Sequence, residues 1–502
     1  MLLAAALTFA TFVADGRAQS TPLPSPVASG DWPDPDVTRI DGAYYAVTTS
    51  GGWAPTFRIL RSADLRTWSI AGSVFRRSPR WAKDSFWAPE LAKLPSGGYA
   101  LLYSAYPHRR RGRTWFCLGV ATARSPLGPW RDLGRPLRCT PRGTIDPTPV
   151  AAGGRLYLVY KEDGNAFDRP TPILLQRLRG DGRELLGTPR ELIRNRVRWE
   201  DEVVEAPSLV RRDGWWHMLY SGGLCCSPDC SYAVGSARAR KLTGPWRRQT
   251  GNPILRSGNG WRCPGHTSIV GDHVAFHAYR AGDFLSGRQL LIAPIEFAGG
   301  RSTIGAVSPL SGPAGTPTTF DDTFAGPKLA PEWEWPGIRP PGILVGGGLR
   351  LRSPLRGGDR PDAGLIARRL GGDKYTATAI VRRDQLSGDA AAGLAVVRGG
   401  PFSLADQAIG VVADAGSVRI WRRARGRLST PVALAVPAAP LIYLRIEADG
   451  LRVRLSASPD GIAWASSGVL RSPVVETARV ALTGGSTRAA TVRFLRATLV
   501  EH

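Results

Sequence analysis

A chain of 502 residues that is 43% hydrophobic and 21% charged has the composition of a globular protein with room for two or three cores, which excludes a disordered or fibrous polymer. Gly 59 and Pro 41 without a three-residue period, together with Trp 16 and Met 2, point to a turn-rich, mostly β protein. The net charge of +25 raises an anionic partner, but only six of the 66 basic residues are Lys, and the Arg residues are spread from Arg17 to Arg496 without a block. That distribution reads as an Arg-rich surface, not a nucleic-acid tract.

The first segment, Leu2 to Ala14, is apolar and gives way to Asp15, Gly16, Arg17 and Ala18. It is too short for a membrane span and has the length of a signal-peptide core, so residues 1–18 are read as a signal and the mature chain as secreted or periplasmic. Residues 19–29, rich in Ser and Pro, read as a linker. Six cysteines follow, Cys117, Cys139, Cys225, Cys226, Cys230 and Cys263, and an even count in an exported chain favours disulfides. Their connectivity stays open. The cluster Cys225, Cys226 and Cys230 lacks the paired two-residue spacing and the nearby His of a zinc knuckle.

From residue 30 the chain repeats. Asp34-Pro35-Asp36-Val37, Ala88-Pro89-Glu90-Leu91, Asp146-Pro147-Thr148-Pro149, Glu205-Ala206-Pro207-Ser208 and His266-Thr267-Ser268-Ile269 align with anchors at Asp34, Glu90, Asp146, Glu205 and His266, spaced 56, 56, 59 and 61 residues apart. Each is followed by a Gly or Asp-Gly turn signal running into aromatic and β-branched residues, such as Gly97-Gly98-Tyr99 and Asp213-Gly214-Trp215. Five such units predict a five-bladed β-propeller over residues 30–310. A Gly, Pro, Ser and Thr stretch at 311–319 reads as a linker. Alternating strands such as Thr376 to Val381 and Tyr443 to Glu447 predict a β-sandwich over 320–502.

In a propeller the first strand of each blade lines the axis, so the five anchors converge at one end of the channel. Carboxylates there are costly to desolvate and bring together like charges, a cost that marks function. Asp34, Asp146 and Glu205 beside Trp32, Trp53 and Trp87 suit sugar hydrolysis, which needs one protonated acid at the leaving oxygen and one ionised base activating water. A third carboxylate nearby can keep the acid protonated by repulsion. A non-catalytic sugar-binding propeller would keep the aromatics and lose a carboxylate.

At these residues the sequence resembles glycoside hydrolase family 43, five-bladed propeller hydrolases of arabinose- and xylose-containing plant polysaccharides. The likeness rests on Trp32-Pro33-Asp34-Pro35-Asp36, Phe86-Trp87-Ala88-Pro89-Glu90, Ile145-Asp146-Pro147, Glu205-Ala206-Pro207 and Gly265-His266 occurring in family order. The resemblance implies an inverting glycosidase with Asp34 as general base, Glu205 as general acid and Asp146 orienting Glu205 and raising its pKa. It also implies substrate contacts from Trp87, Arg288, Glu90 and Trp53. His266 is implied as a candidate ligand of one channel calcium, the alternative being a hydrogen-bonded channel residue without metal; calcium prefers oxygen ligands. The expected partner is plant cell-wall polysaccharide, cleaved at α-L-arabinofuranosyl linkages or, as the nearest alternative, β-xylosidic ones; neither nucleic acid nor membrane is expected. Phe320-Asp321-Asp322-Thr323-Phe324 and the segment Pro327 to Trp333 resemble the concanavalin-like C-terminal sandwich of some family members.

Overall fold

The turn signals that punctuate the repeat each close a two-strand hairpin, and in the computed structural model these hairpins build five separate antiparallel sheets. The structure describes residues 23–108, 116–308, 318–337, 342–352, 364–399, 407–486 and 490–502; the expected signal at 1–18 lies outside them. Among the described residues helix is confined to three short 3-10 turns, and no helix is long and apolar enough to cross a membrane.

The blades open with inner strands Asp36–Ile40, Ala82–Lys93, Thr144–Ala152, Val204–Arg212 and Trp261–Val270. Each inner strand contacts those of its two neighbours, and the fifth meets the first, so the ring is closed. Closure is reinforced by Val27, whose N–H donates to the Leu290 carbonyl on the fifth blade. Residues 27 and 28 therefore belong to the propeller, and the expected linker at 19–29 is shortened accordingly.

The repeat has a backbone cause. Asp34, Ala88, Asp146, Ala206 and His266 all adopt positive φ, between 44° and 55°. In blades two to five the register slips across this point, as a β-bulge requires. The structural period is thus carried by Ala88 and Ala206, each placed differently from the expected anchors Glu90 and Glu205. Glu90 matches Asp36, Thr148, Ser208 and Ser268, one layer further down the channel.

Thr318–Asp322 pairs with Thr491–Glu501, so residues 318 and 319 of the expected 311–319 linker lie in a strand; residues 309–317 are outside the described residues. The second domain is a sandwich of an eight-stranded and a six-stranded sheet around one apolar core that includes Leu351, Ile366, Leu394, Ile446 and Phe494. It docks firmly on the first blade. Trp335–Pro336 pairs with Trp53–Ala54, and the Thr477 N–H donates to the Phe284 carbonyl on the fifth blade. Glu334, 2% exposed, accepts from Arg369 (2.7 Å) and Arg479 (3.0 Å) and lies 3.6 Å from Arg58 of the propeller.

Candidate active site

The bulges decide which side chains reach the channel mouth. A residue with positive φ turns its N–H away from the ladder, and the structure supplies each one with a side-chain acceptor. Ala88 N–H donates to Thr49 Oγ1 (2.7 Å), Asp146 N–H to Ser104 Oγ (3.2 Å), His266 N–H to Ser221 Oγ (2.9 Å) and Asp34 N–H to His277 Nδ1 (3.0 Å). Ser104, Ser221 and His277 all lie on second strands, opposite the residue before the bulge. In blade three that place belongs to Lys161, opposite Ile145, and an ammonium has no lone pair to offer. The Ala206 N–H is instead accepted by Asp146 Oδ2 at 2.9 Å. Asp146 thereby fixes the backbone immediately after Glu205.

Lys161 is 1% exposed and spans two carboxylates, with Nζ 2.7 Å from Glu205 Oε2 and 2.9 Å from Asp163 Oδ1. The other Glu205 oxygen accepts from the Tyr232 hydroxyl at 2.7 Å. Burial alone would push Glu205 up, but the Lys161 ammonium and the Tyr232 hydroxyl outweigh it and hold this carboxyl below its ordinary value. Asp146 moves the opposite way. Burial and then the Glu205 charge push it well above the usual carboxylate range. Asp146 is expected to raise the Glu205 pKa, and the Lys161 ammonium and Tyr232 hydroxyl pull against that. Of this buried pair Asp146 is pushed up and Glu205 held down, because the Lys161 ammonium is in contact with Glu205.

Asp34 is held in its ionised form on the other side of the pocket. Burial opposes its charge, yet Arg288, His266, His277 and the Thr49 hydroxyl together hold it well below the usual range. Arg288 Nη1 donates to Asp34 Oδ1 (2.9 Å) and Thr49 donates to Oδ2 (2.6 Å). His277, accepting at Nδ1, is neutral, and burial with the neighbouring guanidinium pushes it well down.

These groups share one pocket of about 400 Å³ that Asp34, Asp146, Glu205, Trp87, His266 and Arg288 help to line, within the usual size of a ligand site. Trp87 packs against Phe116 with ring centroids 4.1 Å apart and the ring planes tilted by 31°. Two expected contacts lie elsewhere. Trp53, 2% exposed, is packed into the second domain, with its indole N–H donating to the Gly399 carbonyl and Arg479 lying 4.4 Å above its ring. Glu90 lies behind the pocket, accepting from Thr148 and hydrogen-bonded to Asp36, whose carboxyl burial pushes up to about 6. Trp32 likewise faces the domain junction, under Arg369 at 4.1 Å.

The protein atoms around His266 do not by themselves make a calcium site, so a calcium there takes most of its ligands from water. The His266 Nδ1 lies 3.5 Å from Asp34 Oδ1, an oxygen already engaged by Arg288, and Asp34 Oδ2 accepts from Thr49. A guanidinium supplies the positive charge there, whereas calcium needs six to eight oxygens. Among the described residues no group of three or more His, Cys, Asp or Glu is placed to hold a metal. Dialysis against EDTA separates the two readings of His266: a fall in turnover or melting temperature shows a bound calcium, and unchanged values show a hydrogen-bonded channel residue.

Lys161, Tyr232, Thr49 and His277 were missed by the sequence reading, although the second strands carry a signal. Tyr103-Ser104, Tyr160-Lys161, Tyr220-Ser221 and Phe276-His277 are an aromatic followed by a polar residue at the repeat spacing. All six cysteines are paired, Cys117 with Cys139, Cys225 with Cys226 and Cys230 with Cys263.

With this geometry in place, comparison with known proteins gives consistent matches. The family model described as "Glycosyl hydrolases family 43" matches residues 23–301, and "Beta xylosidase C-terminal Concanavalin A-like domain" matches residues 321–485. The chain is 27% identical over 275 residues to the extracellular endo-alpha-(1->5)-L-arabinanase 1 of Bacillus subtilis, covering 50% of this chain and 80% of that protein. It is 26% identical over 259 residues to a xylan 1,3-beta-xylosidase of a Vibrio species, covering 47% of this chain and 44% of that one. The crystal structure of xylan beta-1,4-xylosidase from Bacillus halodurans C-125 superposes over 96% of this chain and 100% of its own, with a TM-score of 0.77 at 21% identity.

Proposed function

Because the chain belongs to glycosyl hydrolase family 43, we propose that it hydrolyses α-L-arabinofuranosyl linkages of plant cell-wall polysaccharide, with Asp34 as base and Glu205 as acid. It is a glycoside hydrolase of a family that inverts the anomeric centre. The observation that carries the residue roles is the convergence of Asp34, Asp146 and Glu205, from three different blades, on one pocket beside Trp87.

The chemistry follows from the charges. Asp34 is ionised at any working pH and can take a proton from the attacking water. The leaving oxygen needs a proton from the opposite face, and Asp146 and Glu205 retain one between them. Asp146 orients Glu205 through the Ala206 N–H, and Lys161 sets where that proton rests. Replacing Lys161 with Met removes the ammonium, so the Glu205 carboxyl rises and its protonated form persists to higher pH. The alkaline limb of kcat/KM should move up by about one unit or more. An unmoved limb in a variant that still folds would show that Lys161 does not tune the acid.

The arabinose assignment is supported by the Bacillus subtilis arabinanase, 80% of which aligns with this chain. The xylosidase-type C-terminal domain favours β-xylosides as the second reading. Arabinan, arabinoxylan and small arabinosides and xylosides, with products sized by chromatography, separate the two. Proton NMR of the first-formed sugar should show the anomer opposite to that of the substrate, and the same anomer would refute inversion. Export is supported by the three disulfides, since such bonds persist in oxidising compartments.

A further inference from the structure

Cys225 and Cys226 are consecutive in the chain, bonded to each other, and half-buried in the wall of the pocket that holds Asp34, Asp146 and Glu205. A disulfide between neighbours closes no loop of chain, so the entropic stabilisation that longer bridges bring is absent here. What it does is fuse two side chains and the peptide between them into one small rigid ring. Its outer face carries two sulfurs, polarizable and without a strong donor or acceptor.

The loop that carries the ring is braced independently. Leu224 N–H donates to Ser231 Oγ (3.0 Å), Ser231 N–H donates back to the Leu224 carbonyl (2.9 Å), and Cys230 is tied to Cys263 at the start of the fifth blade. Cys225 packs against the cluster of Cys230, Tyr232, Cys263 and Tyr279, and Tyr232 is the residue that donates to Glu205. The ring therefore stands on the acid side of the pocket, while Trp87 rises from the second blade, beyond the third.

We infer that the Cys225–Cys226 disulfide ring is a sugar-binding platform for the leaving-group residue of the substrate, contacting its C–H face next to Glu205. The inference rests on the acid assignment made above, because an acid marks the side from which the leaving group departs. Beside the polar groups that hold Asp34 and Glu205, an apolar, rigid face is what a sugar ring stacks on, the role aromatic residues serve elsewhere. Opening the ring would remove that face. Dithiothreitol would deliver two electrons and two protons, leaving two thiols and becoming the cyclic disulfide itself, which makes affinity for longer substrates redox-sensitive.

The test compares α-1,5-linked arabinobiose with methyl α-L-arabinofuranoside, and the corresponding xylose pair, on the wild type and on the Cys225→Ser/Cys226→Ser double variant. Both members of a pair need the same acid, and only the disaccharide carries a leaving sugar. KM for the disaccharide should rise about tenfold or more, with kcat nearly unchanged and the methyl glycoside little affected. Equal effects on both substrates, or none on either, would overturn the platform. A wild type inactive on every pentoside would overturn the proposed function and this inference with it. Should the double variant fail to fold, the native enzyme in dithiothreitol gives the same split, with alkylation and mass spectrometry confirming that Cys117–Cys139 and Cys230–Cys263 remain closed.

Discussion

Replacing Glu205 with Gln is expected to lower kcat/KM on arabinobiose by about 100- to 10,000-fold, the contribution of a general acid, without unfolding the protein. The amide keeps the shape: its one oxygen can accept from Lys161 and its NH2 can donate to the Tyr232 hydroxyl, the two groups that hold the carboxylate oxygens at 2.7 Å each. It has no acidic proton to give. Lys161 also keeps a carboxylate partner in Asp163 at 2.9 Å, so the variant leaves no isolated buried charge. The loss should depend on the leaving group. A dinitrophenyl glycoside departs without protonation and should be cleaved at close to the wild-type rate, whereas an unactivated disaccharide should not. Steady-state kinetics on the two substrates, with circular dichroism as the fold control, decide the matter. Wild-type turnover of the disaccharide would remove Glu205 from the role.

The largest effect on stability is expected at the domain junction. Glu334→Ala should destabilise the protein by about 3–5 kcal/mol, the cost of stripping one partner from a buried ionic group. Glu334 is the shared anion for Arg369, Arg479 and Arg58, and its removal leaves three guanidiniums facing one another out of water. Burial would raise its carboxyl, but these three, in that order, hold it down to about 2 in the folded protein. A depressed carboxyl stabilises the fold fully above its unfolded-state value of about 4.3, and that contribution is lost as pH falls through about 2. The urea midpoint of the wild type should thus fall on acidification below pH ~4, and that of the variant should start lower and fall less. Equal midpoints at neutral pH would show that the cluster does not hold the domains together.

The domain architecture was legible because the repeat writes it out. A five-fold recurrence of bulge motif, turn signal and aromatic run has one economical solution, inner strands closing into a ring. The same recurrence gave Asp34, Asp146 and His266, since residues in equivalent places must face a common axis, and it brought in Glu205 one residue before the equivalent Ala206. Its phase was less clear. Glu90 aligned with Asp34 by chemistry, but the chain bulges at Ala88, and a two-residue shift moves a side chain from the pocket to the layer below. Trp53 was misread for a different reason. An aromatic near the motifs suits a sugar and a domain interface equally well, and only the docking of Trp335–Pro336 onto Trp53–Ala54 separates the two.

Of the basic residues behind the net charge of +25, Arg58, Arg369 and Arg479 are buried around Glu334 instead of forming a binding stripe. By itself the sequence determined the fold class, the family resemblance and three candidate carboxylates at the blade motifs, because these depend on periodicity and turn chemistry that are local in the chain. Only the tertiary structure decided which carboxyl Lys161 contacts, the fate of Trp53 and Glu90, and the sulfur ring in the pocket wall. Lys161 and Glu205 stand 44 residues apart and Cys230 and Cys263 33 apart. Electrostatics and packing act through space, and no spacing along the chain records which distant side chains the closed ring brings to 2.7 Å.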